Sequence, residues 1–180
     1  MPFIFEKIAL EGVVLIHPKL FIDGRGFFIE TFKRDDFAAA GLPADFVQDN
    51  HSKSSKGVLR GLHYQRGSTA QGKLLRCTAG ALLDVGVDLR RTSGTFGRWI
   101  AVELSAENAR MLYLPPGFAH GFLTLSETAE IQYKCTVPYS PADERGIRWD
   151  DPELAIDWGT QEPLLSPRDA TLPYLREVAL

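Results

Sequence analysis

Short runs of apolar and aromatic residues, each ended by Gly, Pro, Ser or Asn, make up most of this chain. Runs of this length, rich in β-branched and aromatic residues, are typical of short strands. Before residue 45, strands are predicted at 12–18 and 27–32, with a turn at Asp23-Gly24 between them. After residue 45, strands are predicted at 46–50, 58–65, 73–77, 81–88, 98–104, 110–114, 121–125 and 131–136.

One short helix interrupts this pattern, at residues 34–41. Alanines favour the helix, and Gly41 is placed to end it. The strand-helix alternation that builds parallel sheets is missing from the sequence, as are the glycine-rich phosphate-binding motifs of nucleotide-binding folds. The sequence therefore predicts an all-β fold, an antiparallel double-sheet jelly roll with a few short helices.

The last part of the chain has a different character. Its prolines divide it into loops and short helical turns around Trp149 and Trp158. We expect an irregular layer at 138–180, packed on a jelly-roll core at about 12–137. With 180 residues, 44% of them hydrophobic, the chain suits one domain spanning 1–180.

Charge and cysteine content narrow the function classes. The net charge is −3 with scattered cations, which argues against binding to nucleic acid or to an anionic membrane. The sequence has no apolar run long enough to span a bilayer and no basic leader segment. Cys77 and Cys135 form no CxxC pair and are expected to be reduced core residues. A cytoplasmic protein is predicted.

The histidines do not form a metal-binding pattern. A jelly-roll metal site would need an HxH pair, a carboxylate and a later histidine, but Gln65 stands where the second histidine would be. The four histidines, His17, His51, His63 and His120, are otherwise dispersed. The sequence therefore favours a site without metal.

His63 lies between two cations in sequence, Arg60 and Lys73. Period-2 alternation places Gly61, His63 and Gln65 on one face of a strand, and Arg60 faces the other way unless Gly61 hosts a bulge. Two cations converging on an apolar interior would attract phosphate or a developing oxyanion. Alternatively, His63 is a structural histidine that is hydrogen-bonded inside the sheet, and Lys73 is a solvent-exposed residue at the end of its strand.

Other candidate residues also have two interpretations. Tyr133 shares the core face of its strand with Ile131 and Cys135, so it is either structural or a proton donor. Ser166-Pro167-Arg168-Asp169 has the form of a capping box, so Asp169 could simply begin a helical turn. His120 closes a Pro-Gly turn. Four further residues could be ordinary exposed or strand-edge polar groups: Arg25, Glu30, Gln48 and Asn50.

Several of these segments together resemble the dTDP-4-dehydrorhamnose 3,5-epimerase family. The matching runs are PKLFIDGRGFFIETF, FVQDNHSKSSKGVLRGLHYQ, AQGKLLR, SGTFGRW, LYLPPGFAHGF, IQYKCT and IRWDDP. The resemblance extends from about Gly12 to Asp169 and implies a cofactor-independent cupin-type jelly roll. It also implies a homodimer that exchanges N-terminal strands.

The resemblance implies a role for each candidate. His63 would be the base that removes protons from C5 and C3 of a 4-keto sugar, with Asp169 orienting its imidazole. Tyr133 would return a proton from the opposite face, and Lys73 would hold the C4 enolate. The residues implied in binding the dTDP-sugar are Arg25, Glu30, Gln48, Asn50, Arg60, His120, Glu144 and Arg168.

Two further points concern the residue at position 168 and the number of carbons that the enzyme inverts. The family commonly has lysine where Arg168 stands; arginine keeps the charge but offers a planar fork of donors. Related enzymes share these motifs and invert only C3 or only C5, and a non-catalytic cupin that binds a nucleotide sugar is a further alternative. The expected activity is inversion of both C3 and C5 of dTDP-4-dehydro-6-deoxy-D-glucose, giving dTDP-4-dehydro-L-rhamnose.

Overall fold

The computed structural model describes residues 2–179, which form two large antiparallel sheets and a separate hairpin. The larger sheet has the order β1-β2-β10-β7-β12-β5 and the smaller the order β13-β6-β11-β8-β9. The strands are β1 (Phe3–Lys7), β2 (Val14–Pro18), β3 (Leu20–Asp23), β4 (Gly26–Ile29), β5 (Gln48–Ser55), β6 (Leu59–Gln65), β7 (Lys73–Ala79), β8 (Ala81–Asp88), β9 (Trp99–Ser105), β10 (Met111–Leu114), β11 (Phe118–Thr124), β12 (Thr128–Cys135) and β13 (Glu144–Gly146).

The two sheets face each other and enclose the main core. Inward residues of the larger sheet, such as Leu75 and Ile131, pack with inward residues of the smaller sheet, such as Leu82 and Phe122. Both cysteines are buried and unpaired. The predicted double-sheet jelly roll is confirmed.

The outer faces of both sheets are also covered. Helix α1 (Arg34–Ala39) places the buried Phe37 against the larger sheet, next to Phe3 and Met111. The segment after β13 packs Leu154 and Trp158 on the smaller sheet. Since both outer faces are covered, the central strands β10 and β11 are buried at every residue rather than at alternate ones.

The structure corrects several predicted boundaries. Strands β1, β3 and β13 were not predicted, and the strand predicted at 27–32 ends at Ile29. β11 begins at Phe118 rather than at residue 121, and β5 runs to Ser55 rather than to residue 50. β5 is polar throughout (QDNHSKSS), so its sequence gives little strand signal, and its place is set by pairing with β12.

The C-terminal segment is irregular but tightly connected. The buried Asp151 accepts hydrogen bonds from the backbone N–H groups of Glu153, Leu154 and Leu175. The Trp99 indole donates to the carbonyl of Leu154, and the amide of Leu164 donates to the carbonyl of Gly57, 2.8 Å in each case. These bonds fix the path of the chain up to a 3₁₀ turn at Asp169–Thr171.

Candidate active site

A cavity of about 600 Å³ opens between the two main sheets. One wall belongs to the larger sheet and carries Lys73 and Tyr133; the other belongs to the smaller sheet and carries His63 and His120. The cavity gathers most of the residues singled out in the sequence: Gln48, Asn50, Arg60, His63, Lys73, His120, Tyr133, Glu144, Arg168 and Asp169.

A bulge in β6 brings Arg60 and His63 to the same side. His120 of β11 is opposite His63 and Phe122 is opposite Arg60, so β6 has one more residue than β11 across this interval. Gly61 has φ +131°, and a Cβ there would lie 2.5 Å from the Cα of Gly121. Because the bulge needs both the backbone conformation and the close approach, only glycine fits. The bulge that the sequence left open is present, and Arg60 and His63 both line the cavity.

His63 is hydrogen-bonded to a buried carboxylate. Its Nε2 lies 2.7 Å from Oδ1 of Asp169, whose side chain is 5% exposed. The other carboxylate oxygen lies 3.5 Å from the backbone N of Gly61. Burial raises the pKa of Asp169, but the hydrogen bond and charge of His63 outweigh it, and the pKa is lowered. The carboxylate therefore stays ionised beside the ring of His63, which it orients through the 2.7 Å contact.

The capping interpretation of Asp169 is half right. Ser166 Oγ accepts a hydrogen bond from the backbone N of Asp169, at 3.0 Å, as a capping serine does. The carboxylate of Asp169 is bonded through Oδ1 to His63. The turn therefore positions the side chain that pairs with the histidine.

Tyr133 and Lys73 lie together on the wall facing His63. The Nζ of Lys73 is 5.9 Å from the centroid of the Tyr133 ring. Burial raises the pKa of the Tyr133 phenol and lowers the pKa of the Lys73 ammonium. Lys73 therefore loses its proton at a lower pH than an exposed lysine would. The Tyr133 phenol keeps its proton to a higher pH than an exposed tyrosine would.

His120 lines the cavity and forms a second histidine-carboxylate pair with Asp84, which lies behind the cavity wall. Its Nε2 lies 2.9 Å from Oδ2 of Asp84, which is fully buried. Burial lowers the pKa of His120, which favours the neutral ring. Its ring centroid is 6.4 Å from that of Tyr133.

A carboxylate at the edge of the cavity joins an arginine and a tyrosine. Glu144 lies 2.7 Å from Nη2 of Arg168 and accepts a hydrogen bond from the Tyr139 hydroxyl at 2.7 Å. Burial raises the pKa of Glu144, but the hydrogen bonds from Arg168 and Tyr139 outweigh it and lower the pKa. Arg168 and Tyr139 are both about half exposed, so this group forms the solvent side of the site.

Polar contacts hold the remaining lining residues. The Gln48 side-chain amide donates to Asn50 Oδ1 at 2.9 Å, and its oxygen accepts from the backbone N of Tyr139. Arg60 donates from Nε to the Ser54 hydroxyl at 3.0 Å. Gln48 and Asn50 are therefore not simple strand-edge residues, because both face the cavity.

Two predicted binding residues lie outside the cavity of their own chain. Arg25 is at the tip of the β3–β4 hairpin, with its side chain 91% exposed and bonded to Asp23 at 2.6 Å. Glu30 follows β4 and borders a separate surface depression with Lys19 and Phe28. Neither residue lines the cavity of its own chain, and their role in substrate binding stays a prediction.

Asp84 and Tyr139 were not among the residues predicted for the site. A carboxylate in the middle of the apolar strand ALLDVGVD was a usable signal, since a buried charge needs a partner. Tyr139 sits in an irregular segment, where no periodicity indicates which way its ring points.

The described residues contain neither a cluster of metal ligands nor a membrane-spanning helix. Within residues 2–179, no three His, Cys, Asp or Glu side chains are grouped closely enough to hold a metal ion. None of the helices in this range has the length and apolar character needed to cross a membrane.

Comparison with known proteins agrees with the resemblance seen in the sequence. The family model described as dTDP-4-dehydrorhamnose 3,5-epimerase matches residues 7–177. A dTDP-4-dehydrorhamnose 3,5-epimerase of Salmonella typhimurium is 53% identical over 176 residues, covering 97% of this chain and 96% of that protein.

Solved structures share the whole fold. The dTDP-6-deoxy-D-glucose-3,5-epimerase of Legionella pneumophila, in complex with dTDP-4-keto-L-rhamnose, superposes with a TM-score of 0.94 at 46% identity, covering 98% of this chain and 95% of that one. ChmJ, a 3'-monoepimerase from Streptomyces bikiniensis in complex with dTDP-quinovose, gives 0.89 at 39% identity, with 94% and 86% covered. The chain belongs to the dTDP-4-dehydrorhamnose 3,5-epimerase family.

Proposed function

We propose that this cavity inverts C3 and C5 of dTDP-4-dehydro-6-deoxy-D-glucose, giving dTDP-4-dehydro-L-rhamnose without a cofactor. The observation that carries the proposal is the placement of a candidate base and a candidate acid on facing walls. His63, paired with Asp169, is on the smaller sheet, and Tyr133 is on the larger sheet. Inversion at carbon needs this arrangement, because the proton leaves from one face and returns to the other.

The reaction proceeds through an enolate. C3 and C5 both lie next to the C4 ketone, so one site that stabilises the enolate oxygen serves both deprotonations. His63 takes the proton and becomes imidazolium, Lys73 holds the oxyanion, and Tyr133 protonates the carbon from the opposite face. The phenolate and imidazolium then return to their starting states by proton exchange with solvent. General acid-base catalysis contributes about 10²–10⁴-fold and an oxyanion donor roughly 3 kcal/mol.

The rest of the cavity suits a nucleotide diphosphate sugar. Arg60 and Arg168 supply guanidinium groups, which bind phosphate oxygens in pairs. We assign Arg168 to the diphosphate, which its planar fork would bind after leaving Glu144. Neutral polar groups that can bind the sugar and the nucleobase are offered by Gln48, Asn50 and His120.

We also propose that the protein is a cytoplasmic homodimer with exchanged N-terminal strands, in which Arg25 and Glu30 complete the partner's site. The supporting observation is the β3–β4 hairpin, whose apolar side chains Ile22, Phe27 and Phe28 are each more than 60% exposed. Such a patch is typical of an interface. Sedimentation giving a mass near 20.0 kDa at assay concentrations would contradict the dimer.

Solvent exchange tests the proposed reaction directly. Incubating the protein with dTDP-4-keto-6-deoxyglucose in D₂O should place deuterium at both C3 and C5, with inversion at both carbons. Exchange and inversion at one carbon only would indicate a single-centre epimerase, the class to which ChmJ belongs by name. No deuterium at either carbon would leave a non-catalytic nucleotide-sugar binder.

Replacement of Lys73 by methionine tests the enolate role. Methionine keeps an unbranched apolar side chain and removes the positive charge, so the fold should persist while turnover falls about 10²-fold. The alkaline limb of the pH profile should also move to higher pH, because the lysine that loses its proton early is gone. Lys56→Met is the control: Lys56 is exposed and paired with Glu127 outside the cavity, so its turnover should match the unaltered protein.

Replacement of Asp169 by asparagine separates catalysis from capping. The amide keeps the size of the side chain but not the charge that supports imidazolium, so turnover should fall by about 10²-fold or more with little change in melting temperature. The control is Asp150→Asn, which alters another carboxylate of the C-terminal segment that pairs with Arg148. A large loss of stability with normal activity in the folded fraction would restore the capping interpretation.

A further inference from the structure

Asp84 is the most deeply buried carboxylate next to the candidate active site. It lies on β8 opposite Phe122 of β11, with its side chain directed into the core between the sheets, and it is 0% exposed. Oδ2 is bonded to Nε2 of His120, whereas Oδ1 has no hydrogen-bond partner among the described residues. An unpaired buried acceptor destabilises the fold, so packing alone does not account for a carboxylate here.

The contact with Asp84 determines which nitrogen of the His120 ring carries the proton. Three groups near His120 act on it electrostatically: Asp84 from β8, Lys73 from β7 and His63 from β6. Burial is the largest influence and keeps the ring neutral, so it carries a single N–H. A carboxylate 2.9 Å from Nε2 fixes that proton on Nε2, which leaves Nδ1 as an acceptor.

Asp84 also affects Lys73 on the facing sheet. Burial has the largest effect on the pKa of the Lys73 ammonium and lowers this pKa. Electrostatic attraction to Cys135, Asp84 and Glu144 raises it in part. Of these, the Cys135 thiol is buried and its pKa is raised, and Glu144 is engaged with Arg168 and Tyr139. Among the described residues, the Asp84 carboxylate contacts neither an arginine nor a lysine, so no cation competes with Lys73 for its charge.

We propose that Asp84 is a positioning residue of the epimerase site, which fixes the Nε2–H tautomer of His120 and leaves Nδ1 as an acceptor. This role rests on the proposed function, since it assigns a second carboxylate to the same reaction. Asp84 acts through His120: its own side chain is fully buried and is not among the groups that line the cavity.

The Asp84→Asn variant tests the proposal, because the amide keeps the shape of the side chain and removes its charge. We expect turnover to fall about 10–100-fold, at the lower end of what a general acid-base group contributes. The alkaline limb of the kcat/KM profile should move to lower pH, since the charge that favours the Lys73 ammonium is lost. Affinity for dTDP should stay within a few-fold.

Asp88→Asn is the matched control. Asp88 is on the same strand and equally buried, but it holds Arg90, Ser93 and Thr95 in a loop rather than facing the cavity. Its replacement should lower the melting temperature and leave the midpoints of the pH profile unchanged. Superimposable profiles and turnover within twofold for Asp84→Asn and the unaltered protein would overturn the proposal.

A second measurement does not depend on turnover. ¹⁵N NMR of the imidazole groups, with His120 assigned by comparison with His120→Gln, should show Nε2 protonated and Nδ1 unprotonated near neutral pH. A ring protonated on Nδ1 alone would overturn the proposal even if Asp84→Asn were inactive or unfolded. If the unaltered protein showed the Nε2–H tautomer but no solvent exchange, the proposed reaction would fail and only the tautomer assignment would stand.

Discussion

His63→Ala should lose about 10²–10⁴-fold of solvent exchange at both C3 and C5, because the same imidazole removes both protons. Loss at the two carbons should be parallel, since a single base on one wall of the cavity reaches both. Binding of dTDP should persist, because the cations assigned to the diphosphate are unchanged. The measurement is deuterium incorporation at each carbon by NMR or mass spectrometry.

His17→Ala is the control for this variant. His17 is partly exposed on β2 and its Nε2 lies 2.9 Å from Glu6, away from the cavity. Its exchange rates should equal those of the unaltered protein. If His63→Ala retained exchange at one carbon, a second base would be required, and the single-base mechanism would be rejected.

Tyr133→Phe should separate exchange from inversion. Without the phenol, His63 can still remove a proton and return one to the same face, so deuterium should enter with retention of configuration. Inversion, which needs an acid on the facing wall, should fall about 10²–10⁴-fold. Product analysis by NMR after incubation in D₂O distinguishes the two outcomes, because labelled starting material would accumulate.

Tyr113→Phe provides the comparison for Tyr133→Phe. Tyr113 is also buried, which raises its pKa to about 12, but it lies on the outer face of the larger sheet with Phe37. Its loss should leave the ratio of inversion to exchange unchanged. Tyr133→Phe with both exchange and inversion intact would show that another group, or water, protonates the enolate.

The fold was largely predictable because the core strands are apolar runs with sharp ends. The strand predicted at 81–88 matches β8 to the residue. β1, β3 and β13 were missed because they are only three to five residues long and are held by their partners rather than by their own composition. Edge strands of this length carry too few alternations for a pattern to be recognised.

The site was predictable where a local rule applied and not where it depended on distant pairing. Gly61 marked a possible site for a bulge that turns Arg60 beside His63, and the register shift between β6 and β11 shows that the bulge is present. No local signal connects His63 with Asp169, which are 106 positions apart and meet only through the packing of the C-terminal segment. The resemblance to the family, rather than periodicity, supplied that pair.

The way Asp169 is held links activity to local opening of the structure. Its backbone lies in a segment fixed on the smaller sheet by isolated hydrogen bonds, such as that from Leu164 to Gly57, rather than by a continuous ladder. Segments of this kind open at lower free energy than central strands. On mild heating, amide protection around residues 164–172 should be lost before protection in β8 and β11, and turnover should decline with the first transition while the sheets remain intact.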